Sequence, residues 1–550
     1  MVFEDLGLLF FTALILALFL TPLSISFAQH IGAMDSPGDR SVHVRIMPRM
    51  GGLGMAIATV LSLILFIELN NSLLGFLLGV IIIVCTGVLD DLFHISPSQK
   101  MFGQLLACGA FLFLSGLSIN SFGDVFALGS IDFSGNISLL ITLFVMIGII
   151  NAFNLSDGLD GLAAGLTMIA TIFMATVALM SQNWLALSIL ATLLGAVFGF
   201  LKFNAYPAKL FMGDTGSLTL GFFVASLIVY LIDFEGIIAV QPITLALILA
   251  LPISDTLLVM TRRILHGKSP VSADRTHFHH RLLDIGFSHS AVVSLIYMLA
   301  FSFGFLALAL QNKQAWVQLF VGLSLCFIIY SVLTISEHYK LNVAKYAIRQ
   351  LNGFIKTSRI ASLVGKSMPW FRFVIILGLM LPLAFVESAP VTTQNLLLGV
   401  LVLFLVAYPW QEHKKRLNIV YALFYLSGFT ILYIWNVSSF HDFYLPWYTL
   451  GFIITLSFWS ILKISFKSHR EVFLTSGLEV LLIVISWFIP YTLLPVLGVS
   501  DEIMTAAKTS CLEAIPLFIA MKIVIRRQPD RNYLFVMGLL LILVLMLIVL

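Results

Sequence analysis

Long apolar runs separated by short polar breaks fill this chain from end to end. In the first part such runs lie near 7–29, 52–68, 73–89, 103–118, 138–152, 161–181, 184–203, 216–233, 240–260, 291–311 and 315–336. Most are long enough to cross a hydrocarbon layer of about 30 Å as helices, so the pattern predicts about eleven spans. Between 338 and 372 the pattern changes: Leu341, Ala344, Ile348, Leu351 and Ile355 recur in helical steps, while Lys340, Lys345, Arg349, Lys356, Arg359 and Lys366 are basic. That combination predicts an amphipathic helix lying on an anionic leaflet. Up to seven further runs follow, near 373–388, 395–410, 417–436, 446–463, 473–496, 506–525 and 533–550. The expectation is an all-α polytopic membrane protein with a core over 1–337, a basic linker over 338–372 and an additional membrane module over 373–550.

Composition agrees: 60% of the 550 residues are hydrophobic, 10% are charged, and mean hydropathy is +1.05. Loops that follow the odd-numbered runs carry Arg40, Arg45, Arg49, Lys100, Lys202, Lys209, Arg262, Arg263, Lys268, Arg275 and Arg281, whereas the opposite loops carry only Lys313. Positively charged short loops stay cytoplasmic, which places the odd loops inside and the N-terminus outside. A net charge of +3, spread over short loops, gives no reason to expect a nucleic-acid partner. The four cysteines, Cys85, Cys108, Cys326 and Cys511, form no CxxC pair, so neither a disulfide framework nor a zinc site is indicated. Glycine pairs Gly161/Gly165 and Gly195/Gly199 have the spacing of close helix packing.

The polar anomalies fall on one side. They are the acid pair Asp90-Asp91 with His94 and Lys100 after it; Asn151, Asn154, Asp157 and Asp160 in steps of three; Asn204 and Phe211-Met212-Gly213-Asp214; and Arg275 followed by His277, His279 and His280. Arg49 belongs to the first loop of the same side. Several carboxylates gathered together repel one another by several kcal/mol at an effective dielectric of about 20, and a hard divalent cation relieves this. Oxygen donors from carboxylates and amides suit Mg²⁺, with Mn²⁺ also acceptable, and such a site surrounded by basic groups suits a nucleotide diphosphate. The three histidines have the residue type of zinc ligands but no completing Cys or acid, so phosphate contact or proton handling is the better reading.

Together, Asp90-Asp91, Asn151-x-x-Asn154-x-x-Asp157-Gly158-x-Asp160, Phe211-Met212-Gly213-Asp214 and His277-x-His279-His280 resemble the polyprenyl-phosphate N-acetylhexosamine-1-phosphate transferases, over roughly residues 1–335. The His-x-His-His form is similar to the bacterial undecaprenyl-phosphate N-acetylglucosamine-1-phosphate branch, which begins teichoic acid, lipopolysaccharide O-antigen and related envelope polymers. The resemblance implies transfer of a sugar 1-phosphate from a UDP-amino sugar to undecaprenyl phosphate, with release of UMP and a need for Mg²⁺, in a bacterial plasma membrane with the active site facing the cytoplasm. It is compatible with a homodimer. It implies that Asn154 and Asp214 bind the metal and that Asp157, Asp160, Asn204, Phe211 and Arg275 form the nucleotide-sugar pocket, Phe211 stacking on uracil. It further implies that Asp90, Asp91, His277, His279 and His280 serve the chemistry, and that Arg49 and Lys100 meet the lipid phosphate. Two departures stand out: His94 occupies a place where some relatives have Lys, and nothing after residue 340 belongs to the pattern. The alternative from a different class is an ion-coupled transporter with a carboxylate relay, which expects acids near the bilayer midplane rather than at helix ends on one face.

Overall fold

The computed structural model describes residues 3–35, 46–234, 236–269, 276–339 and 500–527, with short pieces at 374–377, 379, 386–388, 427–428, 430–433, 436, 439–440, 452, 454–456 and 542. The chain divides into two compact units, Met1–Val343 with Thr475–Leu482, and Ala344–Leu474 with Ile483–Leu550. In the second unit, helix Asp501–Arg527 covers the predicted run 506–525, and Asn436 donates to Glu513 on it at 2.9 Å. The amphipathic segment expected over 338–372 and most of the later runs lie outside the described residues.

The first unit is helical. Its elements are α1 (Phe3–Ile31), the short antiparallel strands β1 (Met34–Asp35) and β2 (Met47–Pro48), then α2 (Gly51–Phe66), α3 (Asn71–Phe93), α4 (Pro97–Ser115), α5 (Asn136–Ser156), α6 (Leu162–Ser181) and α7 (Trp184–Asn204). After these come α8 (Gly213–Ile232), α9 (Pro242–Ile248), α10 (Ala250–Leu265), α11 (Phe278–Asp284), α12 (His289–Leu310) and α13 (Ala315–His338). Among the described residues, eight helices are long and apolar enough to cross a membrane, and the pair α9–α10 makes a ninth if taken as one bent span. At 16 residues α2 is shorter than those eight.

Start signals act where the sequence carries them. Asn70 accepts from the Leu73 amide to open α3, and Ser96 with Gln99 closes a capping box around Pro97 to open α4. The run 240–260, which reads as one continuous span, is broken instead: α9 and α10 meet at 81° around Leu249. Pro252 explains the break, because its ring collides with the carbonyl four residues back, at Ile248, in any continuous helix.

Helix α8 is the centre of the unit, with 94% of its apolar window buried, whereas α13 is 11% buried and lies at the edge. Phe222 and Phe223 on α8 stack on Phe76 of α3 at centroid distances of 6.1 and 5.4 Å. Two glycines let neighbouring helices touch the first turn of α8. A Cβ on Gly52 would lie 2.0 Å from the Gly216 Cα, and one on Gly87 would lie 2.4 Å from the Thr215 Cα. Of the two glycine pairs, Gly195/Gly199 packs α7 against α1, whereas Gly165 makes room for the Tyr297 ring and Gly161 caps α6 with φ +77°. The described cysteines are all free.

Alternating helix directions bring the polar loops of the sequence to one end of the bundle. At the other end lies a hairpin-like loop between α4 and α5, bridged at Ser121 and Asp132.

Candidate functional site

The site is built on the start of α8. Gly213 turns the chain into the helix with φ +71°, a conformation that costs a glycine little. The first amides of any helix lack internal partners, and here a carboxylate from α3 supplies them. Asp91 accepts from the Asp214 amide at 2.9 Å, the Thr215 amide at 3.0 Å and the Thr215 hydroxyl at 2.6 Å. An anion at this end also suits the helix dipole. Asp91 therefore spends its acceptors on fixing the backbone of Asp214, one residue from Asp90 in sequence.

The side chain of Asp214 meets three others. Lys100 reaches Asp214 at 2.5 Å and Asp90 at 2.9 Å, and Asn154 donates to Asp214 at 2.5 Å and to Ser217 at 2.8 Å. Lys100 comes from the first turn of α4, held there by the capping box, so the structure brings this lysine to the acids while His94 stays exposed as the C-cap of α3. The Asp90 and Asp214 carboxylates offer hard oxygen donors, while Asn154 turns its amide nitrogen to Asp214 and would have to flip to add its oxygen; among the described residues no three His, Cys, Asp or Glu side chains gather as a metal site. Such oxygens are of the kind that could hold Mg²⁺, which takes a few protein oxygens and keeps water in its other positions, with Lys100 standing between the two acids in this structure.

The Asn/Asp ladder sits at the mouth of α5 and α6, but its members part company. Asn151 donates to Gln104 of α4 at 2.8 Å, and Asn154 joins Asp214. Asp160 accepts from the Ala208 amide at 2.9 Å. Asn204 receives the Gly161 amide at 3.0 Å and donates to the Leu210 carbonyl at 3.0 Å, so Asp160 and Asn204 together tie loop 157–161 to loop 205–212. The latter loop is stitched in turn to the first: Phe211 donates its amide to Pro48, and the Gly51 and Gly52 amides donate to Phe211 and Met212 at 3.0 and 3.1 Å. Phe211 is thus held half-buried beside Arg49, whose guanidinium pairs with Asp35. Arg275 lies outside the described residues.

Asp157 closes the acid cluster. Burial first, and then the carboxylates of Asp214, Asp91 and Asp160, push it up to about 8, with Arg49 offsetting part of the rise. Its folded-state value exceeds the unfolded one, so the neutral carboxyl favours folding below about pH 4, and this contribution is lost as pH rises towards 8. In EDTA, Asp157→Asn is therefore expected to raise the unfolding midpoint relative to the wild type by several degrees at pH 9, and by much less at pH 5. An equal shift at both pH values would contradict this assignment.

The histidines depend on a residue that sequence reasoning missed. Asp255, on α10, accepts from the Phe278 amide at 2.9 Å and faces His277 Nδ1 at 2.9 Å, while Arg263 stands 3.5 Å from His277 Nε2. The carboxylate thereby fixes the ring and its tautomer. Its only signal in the sequence is a lone acid inside an apolar run. His279 is buried, with its ring against Gly158, where a Cβ would come within 2.2 Å of Nε2. Burial and the neighbouring His280, His277 and His289 hold its basicity well below the ordinary histidine value, so it is neutral near pH 7. Asp255→Asn should lower turnover about 10- to 100-fold, the usual cost of losing an orienting carboxylate, with ground-state substrate binding nearly unchanged. It should also move one limb of the pH–rate profile, whereas a purely structural role would lower stability without moving that limb.

Asp90, Lys100, Asn154, His277, His279 and His280 stand at one end of a cavity of about 1230 Å³, which runs between α4, α5, α9 and α10 to the hairpin-like loop. It exceeds the roughly 300–1,000 Å³ of ordinary small-ligand pockets, and apart from Gln104, Asn151, Thr256 and Arg263 its remaining walls are apolar.

The sequence pattern of glycosyl transferase family 4 matches residues 73–232, a stretch that holds the acid pair, the Asn/Asp ladder and Asp214. Similarity to named proteins extends further. A probable undecaprenyl-phosphate N-acetylglucosaminyl 1-phosphate transferase of Bacillus subtilis is 37% identical over 314 residues, 57% of this chain and 87% of its own. A decaprenyl-phosphate N-acetylglucosaminephosphotransferase of Mycolicibacterium smegmatis is 33% identical over 54% of this chain and 79% of its own. An undecaprenyl-phosphate alpha-N-acetylglucosaminyl 1-phosphate transferase of Yersinia pestis is 31% identical over 55% and 84%. This chain is a multi-pass membrane protein of the polyprenyl-phosphate N-acetylhexosamine-1-phosphate transferase family. These relatives leave the carboxylate-relay transporter without support.

Proposed function

We propose that this protein transfers N-acetylglucosamine 1-phosphate from its UDP conjugate to a polyprenyl phosphate, giving a polyprenyl diphosphate sugar and UMP, at the cytoplasmic face of a bacterial plasma membrane. The observation that carries this reading is the placement of the Asp90–Lys100–Asp214–Asn154 cluster at the mouth of a long apolar cavity. Such a juxtaposition suits a reaction between a charged, water-borne diphosphate and a phosphate carried on a hydrocarbon chain.

Asp214, Asp90 and Asn154 would hold Mg²⁺, which would supply neutralising charge to the diphosphate. The rest is positioning. Lys100 balances the acids and offers a cation to phosphate oxygens, and Arg49 does so from the stitched loop. An oxygen of the lipid phosphate attacks the phosphorus borne by the sugar, the bond from that phosphorus to the bridging oxygen of UDP breaks, and UMP leaves with the electron pair. A phosphate monoester has a second pKa of about 6, so the attacking oxygen is already ionised at neutral pH and needs no strong base. The geometry supports direct displacement, because Asp91 is committed to the α8 backbone and Asp90 to Lys100. His279, neutral and beside Gly158, and His277, oriented by Asp255, lie along the same wall for phosphate contact.

The test is a reconstituted reaction: detergent-purified full-length chain with UDP-N-acetylglucosamine and undecaprenyl phosphate should release UMP only when both substrates are present. UMP release without lipid acceptor would replace this reading by a hydrolase, and no release from a panel of UDP-amino sugars would remove it.

A further inference from the structure

We infer that the hairpin-like loop at the far end of the cavity, residues 118–133, binds the distal isoprene units of the acceptor and makes the protein selective for long polyprenyl chains. This rests on the polyprenyl acceptor proposed above.

The loop has no part in the phosphate site, yet it is firmly built. Phe122 donates its amide to the Ile131 carbonyl at 2.9 Å, Phe133 donates to Asn120 at 2.7 Å, and the rings of Phe122 and Phe133 meet edge to face at 5.0 Å. Asp124 closes the tip by accepting the Leu128 and Gly129 amides at 2.9 and 3.1 Å. At the base, Ile119 donates to Thr142 of α5 at 2.8 Å, and Ser138 donates back to the Ile119 carbonyl at 2.9 Å.

Its side chains are sorted by direction. Ile119, Phe122, Val125, Phe126, Ile131 and Phe133 line the cavity, whereas Ser130 and Asp132 bond to each other and Asp124 serves the tip. Ile119 is buried at the loop base and Phe122, Val125, Ile131 and Phe133 are half-buried, whereas Phe126 is 63% exposed, which leaves an apolar lining for a hydrocarbon ligand to cover. The cavity these residues close is continuous with Asp90 and Lys100 at its other end. One ligand chemistry fits both ends: an anionic phosphate on a hydrocarbon chain.

Length decides which chains reach the loop. At 1.5 Å per residue, Ser138 at the loop base stands about 24 Å along α5 from Asn154. An isoprene unit adds four carbon–carbon bonds of about 1.5 Å, or about 5 Å of reach, so a farnesyl chain ends at roughly 15 Å while an undecaprenyl chain arrives with length to spare.

The experiment uses the full-length protein in detergent. Phe126→Asn, at an exposed position away from the phosphate site, should raise the KM for undecaprenyl phosphate about tenfold, the cost of leaving an apolar chain end against a polar wall. KM values for farnesyl phosphate and for UDP-N-acetylglucosamine, and the unfolding midpoint, should not change. In parallel, a benzophenone side chain placed at residue 126 should form a photo-adduct with undecaprenyl phosphate and none with farnesyl phosphate, a readout independent of turnover. Equal KM shifts for the two lipids, no shift, or no adduct with the long lipid would overturn the inference. A wild-type protein that transfers to neither lipid would instead remove the acceptor reading on which it rests.

Discussion

Asp214→Asn is expected to lower the rate of UMP release by at least about 10³-fold, the scale at which one essential electrostatic group is lost from a phosphoryl-transfer site. The helix should survive the change, because Asp91 grips the backbone amide of residue 214 and not its side chain. What is lost is one of two carboxylates in the oxygen set, together with one of the two partners of Lys100. EDTA should have the same effect on the wild type and be reversed by Mg²⁺ or Mn²⁺, whereas the variant should gain little from added metal. UMP release measured chromatographically, with thermal unfolding as the control for folding, checks both parts. Full turnover in EDTA would falsify the metal assignment.

Asp91→Ala is expected to have the largest effect on stability, about 3–5 kcal/mol. Three hydrogen bonds to the first turn of α8 disappear together, and their donors are left where Gly52 and Gly87 pack their own helices against that turn. Activity should fall with it, since Asp214 loses its anchor. Asp91→Asn keeps one acceptor oxygen and should show a smaller loss of stability. Denaturation in detergent micelles at fixed lipid-to-protein ratio gives the comparison. If Asp91→Ala unfolds like the wild type and is nonetheless inactive, Asp91 acts on substrate directly and its capping role is incidental.

What the sequence made legible follows from what hydrophobic periodicity and loop polarity encode. Apolar runs located the long helices of the first unit, though not α11 or the break between α9 and α10, because each long helix must bury its surface or present it to lipid. That Asp90, Asn154, Asp157 and Asp214 would gather at one end of the bundle was legible, because polar groups at the rim of apolar helices cost too much to be scattered there without partners. The partition of labour among them was not. Asp90 and Asp91 are adjacent and identical in type, yet one faces Lys100 and the other caps α8, a difference set by which side of α3 meets α8. The steps of three from Asn151 to Asp160 do not say where each side chain goes: Asn151 and Asn154, on α5, reach Gln104 and Asp214, while the turn after Ser156 carries Asp157 to the acid cluster and Asp160 to Ala208. Asp255 and Gln104 were hidden inside apolar runs, since their partners come from other helices. The break at Leu249 was available from Pro252, had its reach back to Ile248 been weighed against the hydropathy.

Arg281 joins the histidine segment to the end of α13 through a two-pronged pair with Glu337, at 2.8 and 2.7 Å, and a bond to Thr334 at 3.0 Å. In engineering terms, this fork sets where the chain can be shortened. The last helix of the first unit is peripheral by packing, yet its final turn is the strut that holds α11, and with it the histidines, against the wall of the cavity. A boundary drawn by hydropathy alone, at the last apolar residue, would cut that strut, so any minimal catalytic fragment has to retain Glu337 and enough chain beyond it to keep the closing turn helical.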